Sequence, residues 1–369
     1  MAVNIKRILL VPLLLVAFIT VTGMIILNQA QFGQLPKGER LERVKSSPNY
    51  IDGEFRNFKE TPVLTSNKGS FSTMLDFVFS KRTNSSPDEE IPVVKTELKT
   101  LNRKEDVLVW FGHSSYFLQI QGKTFLVDPV FSGYASPFSF FNKAFKGTNV
   151  YSAKDFPEID YLIITHDHWD HLDYTTILDL TPKVKNVICG LGVGQYFEYW
   201  GYDNSIISEL DWYEAVNLGD MELTATPARH YSGRGLKRNQ TLWVSYILKT
   251  ANYNLFLGGD SGYDTFYNEI GEKFGPFDMA ILEQGQYNQD WNLIHLLPEQ
   301  VFETARHLKA KRILPVHNSK FALARHAWDE PLKNITQSPD NIPVVTPFIG
   351  EVVYLADKQQ TFSQWWKNN

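Results

Sequence analysis

The residues best able to do chemistry lie in one stretch, Tyr161-Leu-Ile-Ile-Thr-His-Asp-His-Trp-Asp-His-Leu-Asp-Tyr174. Its opening run is apolar and β-branched, the pattern of a buried strand, and it delivers the chain directly into His166, Asp167, His168, Trp169, Asp170 and His171. Alternation along a strand lets His166 and His168 point the same way, and a tight turn lets Asp170 and His171 face a neighbouring position. Imidazoles and carboxylate this close carry a heavy desolvation cost unless something pairs with them. A metal is the expected partner, and two facing positions suit two ions.

Further ligands need further strands to carry them. Strands are expected at 185–189, 221–226, 242–248, 253–257, 279–282 and 312–316, with helices at 194–200 and 298–308. The second of these breaks at Pro227 ahead of His230, the fourth runs through Gly258-Gly259 into Asp260, and the last ends at His317. Ligands at His166, His168, Asp170, His171, His230, Asp260 and His317 would therefore meet at one edge of the sheets, where loops carry chemistry on a rigid scaffold. Upstream, 107–111, 116–120 and 124–128 read as a meander closed by Asp128-Pro129. His113, in its first turn, is assigned to local hydrogen bonding. Asp128 is either a turn cap or the group that holds a ligand imidazole in one tautomer. Asp167 and Asp173 are read as surface carboxylates or as supports of ligands, and His307 as exposed. Phe138, Phe140, Phe141 and Phe145 should pack within their own loop, with an exposed apolar lip as the alternative.

Composition excludes some classes. With 36 Lys and Arg against 41 Asp and Glu, a net charge of −5 and no basic block, nothing favours nucleic acid as a partner. The single cysteine, Cys189, excludes an intramolecular disulfide and reads as a small buried hydrophobe. Residues 8–27 form an apolar run interrupted only by Pro12, Thr20, Thr22 and Gly23 and preceded by Lys6 and Arg7. Roughly 20 apolar residues cross a bilayer core, and Asn28-Gln29-Ala30 is a poor cleavage site, so an uncleaved transmembrane anchor is favoured over a cleaved signal sequence. The basic flank puts the amino terminus in the cytoplasm and the rest on the extracytoplasmic, periplasmic side. Three regions are expected: a membrane anchor or signal segment at 1–30, a polar, turn-rich spacer and extension at 31–100, and a catalytic domain at 101–369.

With these residues on the page, the chain resembles the metallo-β-lactamase fold, an α/β protein of αββα layering in which two mixed β-sheets are flanked by helices. The resemblance implies that His166, His168 and His230 hold one metal and Asp170, His171 and His317 the other, with Asp260 bridging. Asp128-Pro-Val-Phe-Ser-Gly-Tyr-Ala-Ser-Pro137, Glu209-Leu-Asp-Trp212, Asp260-Ser-Gly-Tyr263 and Phe321-Ala-Leu-Ala324 further resemble the N-acyl-phosphatidylethanolamine-hydrolysing phospholipase D branch and its bacterial relatives. That branch implies a membrane phospholipid substrate and a phosphate-contacting or proton-donating role for His295, in Ile294-His-Leu-Leu-Pro-Glu299. Gly285-Gln-Tyr-Asn-Gln-Asp-Trp291 and His317-Asn-Ser-Lys320 depart from the animal enzyme and should border the pocket. The expected cofactors are two Zn2+, with iron or manganese compatible, and a shared hydroxide oriented by Asp260 would attack phosphorus. Two other readings stay open: a lactonase or sugar-phosphate hydrolase on the same scaffold, and a non-enzymatic membrane-tethered binding module.

Overall fold

Strands that are apolar at successive positions, not only at alternate ones, must be covered on both faces. The computed structural model of this chain describes residues 5–65 and 84–367, with side chains from Pro12 onward. Helices α1 (Ile5–Leu27) and α2 (Gly38–Ser46) and a short hairpin of β1 (Tyr50–Ile51) and β2 (Glu54–Phe55) precede the main body. The first sheet contains β3 (Val107–Trp110), β4 (Tyr116–Ile120), β5 (Lys123–Val127), β6 (Tyr161–Ile164), β7 (Val187–Gly190) and β8 (Ile207–Leu210). The second contains β9 (Ala215–Asn217), β10 (Glu222–Thr226), β11 (Ser245–Lys249), β12 (Asn254–Leu257), β13 (Met279–Glu283) and β14 (Ile313–Val316), and β15 (Val352–Tyr354) returns to the first sheet beside β3.

Side-chain parity explains the layering. Phe125 and Val127 of β5 share one core with Leu223 and Ala225 of β10, Tyr246 and Leu248 of β11, Leu255 and Leu257 of β12, and Leu314 and Val316 of β14. These are the inner faces of two stacked sheets. The opposite parity of the first sheet, Leu126, Leu162 and Ile164, packs with Ile177 and Leu180 of α3 (Tyr174–Leu180) and Tyr196 and Phe197 of α4 (Gly194–Tyr199). In the second, Phe256, Ala280 and Ile313 pack with Phe266 and Ile270 of α5 (Phe266–Phe274) and Val301 and Ala305 of α6 (Pro298–His307). Helix α7 (Glu330–Gln337) adds Ile335 to that outer layer.

Strand direction then places the chemistry. Strands β5 to β8 run parallel, as do β12 to β14, and parallel neighbours deliver their carboxyl ends to the same edge. His166 after β6, Asp260 after β12 and His317 after β14 leave at that edge. A backbone clamp joins the sheets there: His113 N–H donates to Asn318 O at 2.7 Å, and His317 N–H to His113 O at 2.9 Å. His113, Asp128 and His317 all hold positive φ, at 53°, 42° and 67°. Left-handed backbone at non-glycine residues is costly and persists only where surrounding contacts fix it.

Several expectations change on folding. The strand expected at 242–248 starts only at Ser245, because Leu242 and Val244 donate across to Leu191 O and Thr165 O in the other sheet's loops. The polar extension is docked rather than loose. Arg40 pairs with Glu209 and Glu198, and Asn57 accepts from His230 N–H and donates to its carbonyl. Residues 66–83, also part of that extension, lie outside the described residues. The apolar run at 8–27 is helical in α1, but among the described residues no helix is long and apolar enough to cross a membrane, and the side chains at 8–11 fall outside them. Of the four loop phenylalanines only Phe145 is buried, whereas Phe140 is 66% and Phe141 58% exposed. The loop tip has too little chain around it to cover four rings. His307 is half-buried, held by the Tyr263 hydroxyl.

Packing at the site edge allows no extra atoms at Gly262, where an added Cβ would lie 2.0 Å from Leu293 O. That approach brings the loop after Asp260 against the loop before His295. Gly262→Ala is expected to destabilise the protein by about 1–3 kcal/mol through overpacking. An unchanged midpoint in denaturant unfolding would contradict this packing.

Candidate metal centre

Folding brings all seven expected ligand residues to the sheet edge and sets His113 beside them. His166 Nε2 lies 2.9 Å from His168 Nδ1, which lies 3.2 Å from His230 Nε2. Two of the rings are held by their other nitrogen: His230 Nδ1–H donates to Ile294 O at 2.9 Å, and His166 Nδ1 meets Thr165 Oγ1 at 3.0 Å. Three ring nitrogens therefore converge on one point. A second group, Asp170, His171, His317 and His113, places its ligand atoms within 4.8 Å of one another, and Asp260 shares the same spacing with His166 and His171. Asp260 Oδ2 is 3.9 Å from His166 Nε2 and 3.8 Å from His230 Nε2. Its Oδ1 is 3.3 Å from His171 Nε2 and 3.2 Å from His317 Nδ1. One carboxylate thus faces both groups.

These residues fit metal ions on their own chemistry. His171 Nε2 and Asp260 Oδ1 are buried and have no hydrogen-bond partner, a cost that a cation between them would remove. Burial pushes the His166, His230 and His317 imidazoles down, and neighbouring imidazoles push them further, which leaves neutral rings with lone pairs to give. Burial alone would raise the Asp260 carboxyl, but the neighbouring imidazoles, His171 foremost, outweigh it and hold it well below the usual carboxylate range. Asp128 accepts from His171 Nδ1 at 2.7 Å while also accepting from Thr165 N and Oγ1, so it holds the tautomer that presents Nε2 to the site.

His113 departs from its expected role. Its Nε2 meets Asp170 Oδ2 at 2.8 Å, across 57 residues of sequence, and its ring sits 4.1 Å from that of His317. The partner is the carboxylate of an expected ligand, not its own turn. Asp167 and Asp173 are buried supports: Asp167 accepts from Gly233 N, Tyr196 Oη and Thr241 Oγ1, and Asp173 from Phe131 N, Ser132 N and Thr176 Oγ1.

His295 stands at the rim of this centre, its Nδ1 4.0 Å from Asp260 Oδ2 and its ring stacked on His317 at 5.3 Å. Its partner is Glu283, which the sequence reading left out. Glu283 Oε2 accepts from His295 Nδ1 at 2.6 Å, and Oε1 accepts from Ser261 N at 3.0 Å and Leu296 N at 2.8 Å. The signal was present: Glu283 is an acid at the last position of an otherwise apolar strand, the same strand-end rule that found the other ligands. Burial pushes Glu283 up, and burial would push His295 down were it not for Glu283, which raises it. Two backbone N–H groups favour the carboxylate form of Glu283, so the shared proton resides on His295. Its Nε2 is then the nitrogen available to the cavity.

That cavity, of ≈ 350 Å³, has a floor of His168, Asp170, His230, Asp260, His295 and His317. Its walls are mostly apolar: Val63 and Leu64 from the extension, with Tyr231, Trp291, Ile294 and Leu323, and Gln286 as a polar exception. The segments that depart from the animal enzyme supply Gln286, Trp291 and His317 of this lining. Thr65 ties the extension in place through Asp290 O and Gln289 O.

Known proteins resemble this chain in sequence and in fold. The family model described as "Beta-lactamase superfamily domain" matches residues 123–318. An uncharacterized protein of Mycobacterium tuberculosis is 32% identical over 331 residues, 88% of each chain. The N-acyl-phosphatidylethanolamine-hydrolyzing phospholipase D 1 of Caenorhabditis elegans is 27% identical over 270 residues, covering 68% of this chain and 76% of its own. Igni18, a metallo hydrolase from the archaeon Ignicoccus hospitalis, has a TM-score of 0.52 at 20% identity over 67% of this chain and 97% of its own, a likeness of fold alone.

The Asp128–His171 contact generates a test that needs no substrate. Asp128→Asn is expected to weaken metal binding by roughly 10–100-fold, read by competition with a chromophoric chelator, while circular dichroism stays unchanged. Undiminished affinity would remove Asp128 from the metal centre.

Proposed function

Since the chain belongs to the beta-lactamase superfamily and is a metal-dependent hydrolase, we propose that it is a phosphodiesterase of phospholipase D type acting on N-acyl-phosphatidylethanolamine or a related phospholipid. The observation that carries this reading is the pairing of floor and walls: a metal-ligating, His295-bearing base suits a phosphate, and Val63, Leu64, Ile294 and Leu323 above it suit an apolar substituent. The name of the worm relative supports the same substrate class. Bound at His166, His168 and His230 and at Asp170, His171 and His317, with Asp260 between, two zinc ions (iron or manganese being compatible) would supply Lewis acidity that makes water nucleophilic near neutral pH and offsets phosphoryl charge.

The chain's own residues do the rest. Asp260 orients the attacking water and accepts its proton's hydrogen bond, and Glu283 holds Nδ1 of His295 so that Nε2 faces the phosphate. As water adds to phosphorus the bond to the ethanolamine oxygen breaks and His295 gives that oxygen its proton; the proton lost by the attacking water passes to solvent, from which His295 is reprotonated, and an N-acylethanolamine and phosphatidic acid leave. The apolar walls exclude competing water. Asp128 and His113 keep His171 and Asp170 in place throughout.

Membrane attachment through α1 belongs to the same proposal, with the catalytic domain on the extracytoplasmic side. It is supported by Lys6 and Arg7 in the first turn of the helix, ahead of its apolar run, and by side chains such as Leu14, Phe18 and Ile25, which are exposed at 59%, 68% and 63%.

Purified protein given N-acyl-phosphatidylethanolamine in detergent is expected to produce phosphatidic acid, and His168→Ala to abolish it. No product above that control, together with turnover of soluble lactones or sugar phosphates, would move the reading to those substrates. Within the phosphodiesterase reading, Glu283→Ala is expected to lower kcat by roughly 10²-fold or more with little change in KM. Glu283→Gln, which keeps an acceptor for His295, should retain part of the rate. Equal losses in both, with altered metal content, would reduce Glu283 to a structural role.

A further inference from the structure

A ladder of aromatic rings leaves the main domain in the long connection that follows β5. Phe138 stacks on Phe140 at 5.6 Å and Phe140 meets Phe141 at 4.7 Å, and the last two are mostly exposed. Contacts at its base fix where this tip stands. Phe138 also meets Phe32 at 6.5 Å, Phe32 packs edge-on to Trp169 at 5.2 Å, and Gln31 Nε2 donates to Pro137 O at 3.4 Å. Phe32 closes the short turn Ala30–Phe32 that follows α1, so the tip lies beside the point where α1 leaves the domain.

The same turn is held from its other side. Arg234 lies 3.8 Å over the Trp169 ring and donates to Gln31 O. Two residues on, Leu236 is 86% exposed, followed by exposed Lys237 and Arg238. Both flanks reach the cavity. Arg238 sits over the Tyr231 ring at 5.3 Å, and the base of the aromatic loop, Ala135 and Ala144, packs with Phe321 and Leu323. Tyr231 and Leu323 are cavity walls. Helix exit, exposed apolar points and cavity mouth therefore share one face.

Charge identifies the partner. At the surface, residues 138–147 and 233–240 present Lys143, Lys146, Lys237 and Arg238 and no acidic residue, in a chain whose net charge is −5. A second copy docking through the same face would set this basic ring against itself. An anionic bilayer surface attracts it instead, with aromatic rings entering at headgroup depth. We propose that this face, led by Phe140, Phe141 and Leu236, seats on the anionic headgroup surface of the bilayer and brings the cavity mouth to the lipid. This rests on attachment through α1.

The test uses the full chain. Cys189 is the sole cysteine and is buried, so one introduced cysteine can carry an environment-sensitive fluorophore. Labels at Phe140→Cys, Phe141→Cys, Ile19→Cys in α1 and Asp220→Cys, before β10, are compared in vesicles with and without anionic phospholipid. An apolar face lying in the interface sinks roughly 5–10 Å. The labels at 140 and 141 are expected to shift to the blue in anionic vesicles and to be quenched more by spin-labelled lipid with its nitroxide near the carbonyl end than near the chain end, while 220 stays unquenched. Quenching at 19 without quenching at 140 or 141 overturns the seating and leaves the attachment standing; no quenching at any of the three overturns both. A concentration-dependent blue shift at 140 in the absence of vesicles assigns the face to a second copy and also overturns the proposal.

Discussion

Everything in this molecule depends on one buried carboxylate that faces imidazoles from both halves of the fold. Asp260 is 3% exposed, with His166 and His230 approaching one oxygen and His171 and His317 the other. An isolated charge at that depth would be excluded by its desolvation cost. It persists because each sheet sends ligands to it, and because its carboxylate form is what those ligands and a shared ion pair would require. The two sheets are thus joined chemically at their edge as well as by their apolar core.

That constraint explains why so much of the site was legible in the sequence. A strand that ends in His or Asp is conspicuous against an apolar run, and the parallel order of β5 to β8 and β12 to β14 gathers such ends at one edge. The αββα layering was implied by the resemblance to the metallo-β-lactamase fold, and the structure gives its physical reason in strands apolar at both parities. Less legible were residues whose role depends on a distant partner. His113 looks like a turn residue until the clamp to Asn318 swings it toward Asp170. Glu283 was hidden by one position, since its strand was ended at Leu282. Phe140 and Phe141 carry no marker that tells an exposed ring from a packed one, and a helix of seven residues such as α3 leaves a helical period little room to show.

The electrostatic arrangement also separates two kinds of work. His166, His230 and His317 are kept neutral by burial, whereas His295, at the rim, is kept protonated by a carboxylate held in place through Ser261 N and Leu296 N. Neutral rings have lone pairs to give, and a charged ring has a proton. The distinction is made by one acid at the end of β13, which also braces the backbone next to Asp260.

Val63 and Leu64 close the cavity from a segment that belongs to neither sheet and is tied down by Thr65 at its far end. Ligands and selectivity are therefore inherited through different parts of the gene product. A lineage could reshape the cavity wall by rewriting the strap, with no compensating change among the histidines, and closely related chains with the same sheet edge need not share a substrate.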